Sequence, residues 1–588
     1  MAKRRFAVIF TVLGLAVFIS IAGFGLLYLA YGREPRVPSN ATLVLRVGGD
    51  LSEVAPDDVF GYIRGVKTPT VRLFVESLRK AKVDSRIKAV LIKPTGFESP
   101  FWGKVQEVRD AMLDFKKSGK PLYAYLEYGG DREYYLATAA DKVYLMPSTS
   151  LDLIGVATYS LFLRGTLDKI GAYPDLRRIG DYKTAVNTFT EKGYTAAHRE
   201  MDESLNRDLF EQIVVGIAEG RKKDEAEIRR LIDEGPFLPE EALRAGLVDD
   251  VQYEDQVSEK LQGDDRSREI EGDDYAAVSA PSLGLNKGPR LAVIYAAGTI
   301  ASGKSGYDPL NGAIVGSDTL IEYIRTARRD SSVRGIVLRI DSPGGSATAS
   351  DAVWRELMIA KNEREDRPIV ASMSDLAASG GYYIAMPAQL IVAQPSTLTG
   401  SIGIFGGKIV SGGVYEKLGA RIESTSVGKH AEINSPVRPY NPDEVKKLDE
   451  QLQAFYDQFV EKVASSRRST PEKIDALAQG RVWTGRQAKD RGLVDALGGL
   501  EEAIELTKER AKIPADSSVE IVVYPPRKNF YEIFSDQLNG ANQSLDMGRW
   551  LSASLSKGEL DVLRTMRGPL AIFRRGEPLA LMPFTFLR

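Results

Sequence analysis

The chain has 588 residues, 43% hydrophobic and 27% charged, with 78 basic against 80 acidic side chains and a net charge of −2. At about 100–200 residues per domain this length predicts about three to five compact units, and the apolar fraction excludes a disordered chain. The charge balance excludes a protein built to neutralise nucleic-acid phosphates, and the absence of cysteine excludes disulfides, thiolate nucleophiles and cysteine-held metals.

Only two histidines occur, His198 and His430, which leaves little room for a histidine metal site. No metal or cofactor is expected.

Phe6 to Tyr31 carry no charged side chain and lie between Lys3-Arg4-Arg5 and Arg33. The run is long enough to cross a hydrocarbon core of about 30 Å at 1.5 Å per residue. A cleaved secretory signal has a shorter apolar core of about 7–15 residues, and Leu27-Tyr28-Leu29-Ala30-Tyr31 offers no small-x-small cleavage site. Residues 1–37 are therefore expected to be a retained membrane anchor that enters the bilayer through residues 6–31. The three basic residues at its start place that end in the cytoplasm and the body outside it, against the opposing pull of Arg33 and Arg36.

The rest of the chain repeats itself. Tyr134-Tyr135, Pro147-Ser148-Thr149 and Ile154-Gly155 face Tyr382-Tyr383, Pro395-Ser396-Thr397 and Ile402-Gly403 without a gap. Gly246-Leu247-Val248-Asp249 likewise faces Gly492-Leu493-Val494-Asp495. This is a duplication of a whole domain, far longer in period than a solenoid repeat. The copies are expected at 38–261 and 290–512, with a flexible linker at 262–289 rich in Asp, Gly, Ser and Arg. An extension at 513–588, where the pattern stops matching, carries no assignable role.

Each copy reads as α/β. In the second, Leu291–Tyr295, Gly335–Ile340 and Ile369–Met373 are strand-like apolar runs, Ser346–Lys361 has helical spacing, and a helix is expected over Ala377–Ala385. Alternating strands and helices imply a largely parallel sheet covered on both faces.

Two segments of the second copy could carry chemistry. Asp341-Ser342-Pro343-Gly344-Gly345-Ser346 follows a strand and opens a helix, so its backbone N–H groups can face an anion or a developing oxyanion. Ala377-Ala378-Ser379-Gly380-Gly381 also joins a strand to a helix, a bend that exposes a serine hydroxyl beside the next residue's N–H. Either Gly pair alone reads as an ordinary turn. The same backbone geometry would also serve an acyl-CoA thioester.

A serine hydroxyl needs a base. His198, in Ala196-Ala197-His198-Arg199, reads as a solvated residue at a charged helix start, and His430 lies in Gly428-Lys429-His430-Ala431. A lysine can serve if burial lowers its pKa from about 10.4 towards neutrality. The duplication selects one: Lys183 faces Ala431, so the second copy lacks that lysine, while Ser379 faces Asp131, so the first lacks that serine. Lys93-Pro94-Thr95-Gly96-Phe97 likewise stands where the second copy has its Gly344-Gly345 loop. Complementary loss is what a single composite site between the copies would leave behind; two independent decays would leave an inactive scaffold.

Ser342-Pro343-Gly344-Gly345-Ser346, Met373 through Ser379-Gly380-Gly381-Tyr382-Tyr383, Pro395 through Ser401-Ile402-Gly403 and Tyr182-Lys183-Thr184-Ala185-Val186 together resemble the signal peptide peptidase A family, in its long tandem-repeat bacterial form. The resemblance spans nearly the whole chain. It implies two ClpP/crotonase-like repeats after an N-terminal transmembrane helix, a homotetramer, and a serine–lysine dyad in a single-pass protein of the bacterial inner membrane. By the same resemblance Ser379 is the nucleophile, Lys183 the general base and Ser401 the residue that orients the lysine. Gly380 and one glycine of the Gly344-Gly345 pair, here taken as Gly345, supply oxyanion N–H groups. The implied substrates are released signal peptides and other apolar peptides, with no nucleic acid. Threonine at 184, where the family also uses serine, leaves this picture unchanged. A hydratase or thioesterase acting on acyl-CoA is the rival on the same fold, but no CoA-phosphate site is evident and the anchor would have no purpose.

Overall fold

The computed structural model describes residues 35–54, 70–262, 268–308, 312–526, 573, 577–583 and 586–587. The expected anchor at residues 6–31 lies outside these. Among the described residues no helix is long and apolar enough to cross a membrane.

The first unit runs β1 (Ala41–Gly49), α1 (Val71–Val83), β2 (Ile87–Phe97), α2 (Gly103–Lys116), β3 (Leu122–Leu126), α3 (Asp131–Ala137), β4 (Lys142–Leu145), β5 (Tyr173–Ile179), α4 (Ala196–Arg221), β6 (Asp250–Val251) and β7 (Glu269–Glu271). The second begins with β8 (Arg290–Ala297), β9 (Thr299–Ala301), β10 (Gly306–Asp308), β11 (Gly312–Gly316) and α5 (Ser317–Arg329). It continues through β12 (Val333–Ser342), β13 (Gly344–Ser346), α6 (Ala347–Glu363), β14 (Ile369–Ala378), α7 (Gly380–Ala385), β15 (Leu390–Ala393), β16 (Leu398–Gly400) and β17 (Ile404–Val410). After these come α8 (Pro442–Ser466), β18 (Val482–Thr484), β19 (Ala496–Leu497), α9 (Leu500–Arg510), β20 (Glu520–Tyr524) and, much later, β21 (Leu579–Leu581).

The duplication is visible in the strand order. The first sheet runs β7-β1-β2-β3-β4-β6, and every pair in it is parallel. The second runs β20-β8-β12-β14 and continues to β15 and β19, also parallel throughout; β16 and the antiparallel β18 extend it from the far end of β14. Strands buried on both faces need near-continuous apolar runs, which is what Val90-Leu91-Ile92 and Ile336-Val337-Leu338 supply. Each unit has its own core: Leu43, Ile92, Val108 and Leu136 sit in the first, and Ile294, Leu338, Val353 and Ile384 in the second.

Matched polar locks hold the two units. The Tyr134 hydroxyl donates to Leu247 O at 2.6 Å, and the Tyr382 hydroxyl to Leu493 O at 2.9 Å. Asp249 accepts the Val143 N–H and pairs with Arg221; Asp495 accepts the Ile391 N–H and pairs with Arg467. A buried polar group is retained where it is fully paired, and both copies kept these pairs.

Three expectations need correction. The segment expected as a flexible linker contributes β7 to the first sheet, followed by a short helix at Gly272–Tyr275 and a 3-10 turn at Ala280–Leu283. Beyond residue 513, where the repeat was expected to stop, β20 takes the same edge position in the second sheet that β7 takes in the first. Both strands are too short to carry a readable alternation. β14 runs on through Ala378, so the helix expected from Ala377 starts only at Gly380.

A third sheet of seven strands, in the order β10-β11-β9-β13-β21-β17-β5, joins the units. Its β5 comes from the first unit and pairs antiparallel with β17 of the second over seven residues, Tyr173–Ile179 against Val410–Ile404.

Candidate active site

Three segments of chain meet where β14 ends. Ser379 stands between β14 and α7 with φ 56° and ψ −111°, a left-handed backbone that few non-glycine residues adopt. The Ser379 N–H donates to Gly400 O at 2.7 Å, which ties the bend to the end of β16. The next residue in that strand's turn, Ser401, also has positive φ, 48°, and its N–H donates to Arg481 O at 2.7 Å. Two strained serines side by side are held by neighbouring backbone rather than by their own preference.

Lys183 arrives from the other unit. β5 runs along β17, and the turn after it is pinned by the Tyr182 N–H donating to Gln479 O at 2.9 Å. The lysine then enters a slot that only glycine can leave open: a Cβ at Gly480 would lie 2.5 Å from the Lys183 Cα. Its Nζ lies 2.8 Å from Ser379 Oγ, 3.0 Å from Ser401 Oγ and 3.0 Å from Ser401 O. Lys183, Ser379 and Ser401 are each 0% exposed. Burial holds the Lys183 amine well below the usual lysine range, and none of its hydrogen-bond partners is a carboxylate to oppose this. A neutral amine has a lone pair, and at 2.8 Å it can take the proton of a hydroxyl.

The glycine loop lies alongside. Gly344 has φ 99°, and its N–H donates to Ser342 Oγ at 3.2 Å. A Cβ at Gly344 would come within 2.7 Å of the Gly380 N. Gly344, Gly345 and Gly380 therefore stand against the serine bend, all buried.

The equivalent places in the first unit are closed. Asp131, facing Ser379 in the repeat, accepts the N–H groups of Ile154 and Gly155 at 3.0 and 3.1 Å, and burial pushes its carboxyl up to about 6. Glu133 accepts the Phe97 N–H at 2.7 Å, in the loop that matches Gly344-Gly345. Ala431, facing Lys183, is exposed.

Neither histidine approaches this site through a hydrogen bond or ring contact. The solvated role expected for His198 is corrected: it is 4% exposed, packed against Phe162 and Tyr194 with its Nδ1 3.5 Å from Asn187 Nδ2. Burial and the Arg178 guanidinium push its pKa down to about 4. Its charged neighbours in sequence conceal that the first turn of α4 folds under the turn carrying Asn187. His430 sits 3.4 Å from Asp443 at the start of α8.

Two sets of residues behind the site escaped sequence reasoning. Lys104, at the start of α2, places Nζ 2.7 Å from Asp341 and 3.3 Å from Asp375, the residues that lead into the glycine loop and the serine bend. Beside it the fully buried Arg339 pairs with Glu53 and Glu107 of the first unit and donates to Ser372 and Ser374 of the second. The second set is residues 577–583, which lie along the glycine loop. The aspartates flank the motifs and were visible as such; their partners are on the other copy, where no local pattern marks them.

The family model described as Peptidase family S49 matches residues 114–266 and 361–514, two windows in the register of the internal repeat. The chain is 36% identical over 495 residues to the chloroplastic serine protease SPPA of Arabidopsis thaliana, covering 83% of this chain and 72% of that one. It is 35% identical over 451 residues to protease 4 of Salmonella typhi, covering 75% and 72%. To protease 4 of Haemophilus influenzae it is 30% identical over 570 residues, covering 91% of each.

Proposed function

This chain belongs to peptidase family S49, and we propose that it is a membrane-anchored endopeptidase working by a serine–lysine dyad, with Ser379 as nucleophile and Lys183 as general base. The observation that carries the reading is the buried Lys183 amine, 2.8 Å from the Ser379 hydroxyl and paired with no carboxylate.

Neutral Lys183 takes the Ser379 proton as Oγ bonds to a peptide carbonyl carbon. The ammonium then gives that proton to the leaving amine, and water repeats the cycle on the acyl-enzyme. Ser401 Oγ and O, both 3.0 Å from Nζ, hold the amine's other two positions so that its lone pair points at Ser379. Gly380 and Gly345 supply the oxyanion N–H groups. Gly344 is the weaker choice for that role because its own N–H is donated to Ser342. Removing one such donor typically costs about 2.7–4 kcal/mol of transition-state stabilisation.

Each unit, with its parallel sheet and crossover helices, is read as ClpP/crotonase-like. The anchor at residues 6–31 would hold the body outside the cytoplasm at the inner membrane of a bacterium, as a homotetramer whose substrates are signal peptides and other apolar peptides left in the bilayer. Support for this comes from the uncharged run itself and from the family.

Ser379→Ala and Lys183→Ala are each expected to lower kcat for a peptide ester by about 10³-fold or more while leaving the unfolding transition intact. A serine-reactive phosphonate should label the wild-type chain at Ser379 and label neither variant. Full turnover in either variant removes the dyad, and a chain that hydrolyses nothing and takes no label is a scaffold.

A further inference from the structure

Residues 479–483 of the second unit touch both halves of the site. The Tyr182 N–H donates to Gln479 O at 2.9 Å, a Cβ at Gly480 would lie 2.5 Å from the Lys183 Cα, and Arg481 O accepts the Ser401 N–H at 2.7 Å. The Gly480 N–H donates to Ile402 O at 2.8 Å, so the segment continues the antiparallel pairing of β16 with β18 past Ser401. Gln479 keeps a left-handed backbone, φ 54°, and its side-chain amide donates to Asp475 at 2.6 Å and to Tyr456 at 3.1 Å.

The Arg481 side chain closes this segment on the first unit. Its guanidinium carbon lies 4.7 Å from the centre of the Tyr182 ring and 4.4 Å from that of Trp483, and Arg491 stands 3.9 Å from the same indole. Arg481 Nη1 donates to Glu200 Oε1 at 2.8 Å, and the Tyr182 hydroxyl donates to Glu200 Oε2 at 2.8 Å. One carboxylate near the start of α4 thus ties the residue before Lys183 to the residue that holds Ser401. Glu200 is exposed, and an exposed ion pair by itself contributes little. What makes the contact firm is a planar guanidinium laid on aromatic faces, which a lysine cannot reproduce.

The chemistry gives this clamp a task. Burial alone lowers the Lys183 amine, and no charged group bears on it. Its neutrality therefore depends on how completely water is kept out. The walls of the slot are close: besides Gly480, a Cβ at Gly403 would lie 3.2 Å from the Lys183 Cδ.

We propose that Arg481 is a positioning residue for the dyad, and that its side chain, laid against Tyr182 and Trp483 and pinned by Glu200, holds the Lys183 turn shut on the Ser401 segment so that no water enters beside the amine. This deepens the dyad reading above and rests on it. Arg481 makes no bond to Ser379 or Lys183; it acts through Tyr182 and Ser401.

The test compares the full-length wild type with Arg481→Ala, Arg481→Lys and Glu200→Ala in detergent, by peptide-ester hydrolysis from about pH 5 to about pH 9 and by thermal melting. Arg481→Ala should lower the plateau kcat about 10-fold with KM changed less than about 2-fold. It should also move the rising limb of kcat/KM up by about one pH unit, because water beside the amine restores part of its basicity. Arg481→Lys, which keeps the charge without the stacked plane, should fall between wild type and alanine. Glu200→Ala should act in the same direction with a fall of about 3-fold, and the two alanine changes combined should cost less than their sum, because both open one clamp. An Arg481→Ala chain that melts lower yet keeps the wild-type kcat and pH limb overturns this inference and leaves the dyad standing. If Arg481→Ala does not fold, Glu200→Ala decides alone, and a wild-type kcat and limb there overturn it. Full turnover in Lys183→Ala overturns the dyad, and this inference with it.

Discussion

A lysine whose charged form burial disfavours is a cost to folding, and the cost has a direction in pH. Lys183 is held well below its ordinary value by burial, so between its folded pKa and about 10.4 the unfolded chain binds a proton that the folded chain does not. Stability therefore rises with pH across that window and falls as pH drops through it. Lys183→Met, which fills the slot without a titrating group, should raise the Tm by about 2 °C or more at pH 7 and by less at pH 9, while abolishing hydrolysis. Thermal melts at the two pH values check this; equal shifts would mean that the amine is charged in place. The wild-type kcat/KM should rise with pH through the folded pKa of this lysine and then level off, because only the neutral amine is a base.

The same residue shows what was legible in the sequence. Lys183 and Ser379 could be paired because each is missing from the other copy, a comparison that needs no knowledge of shape. His198 was misread for the opposite reason: its burial comes from Phe162 and Tyr194, which nothing in the local sequence around Ala196-Ala197-His198-Arg199 announces.

At the scale of elements, the site depends on two contacts between units. One is the antiparallel ladder of β5 and β17, which delivers Lys183. The other is the charged clasp of α2 against the ends of β12 and β14. Burial alone would discharge the Lys104 amine, but the Asp341 and Asp375 carboxylates hold it above the ordinary lysine range. Lys104→Met removes the cation and leaves two carboxylates buried near one another, at a cost of about 3–5 kcal/mol. Urea unfolding should record that loss. The kcat should fall with little change in KM, because Asp341 and Asp375 set the spacing of the glycine loop and the serine bend rather than touching the peptide. Unchanged stability would mean that the clasp is not formed in solution.

These elements were legible unevenly. The long apolar strands and the helices between them followed from periodicity. β7 and β20, three and five residues long, could not be separated from linker by pattern alone, because their place is fixed by pairing with β1 and β8. Glu53, Lys104, Glu107 and Arg339 read as ordinary charged positions until the second copy is folded against the first.

For the whole molecule the prediction is that neither half works alone. Residues 290–588 retain Ser379, Ser401 and the glycine loop but lose Lys183, Lys104 and the partner strand of β17, so they should hydrolyse no peptide ester above the level of Ser379→Ala. A chain beginning at Val37 keeps all of these and should hydrolyse a small ester at the wild-type rate without a membrane. An active second half, assayed by ester hydrolysis, would mean that the base comes from within that half.

Because Asp131 and Glu133 take up the N–H groups of the first unit's matching pocket, and because Ala431 stands in water, duplication here did not double capacity. An irreversible label should therefore saturate at one equivalent per polypeptide although the architecture is written twice.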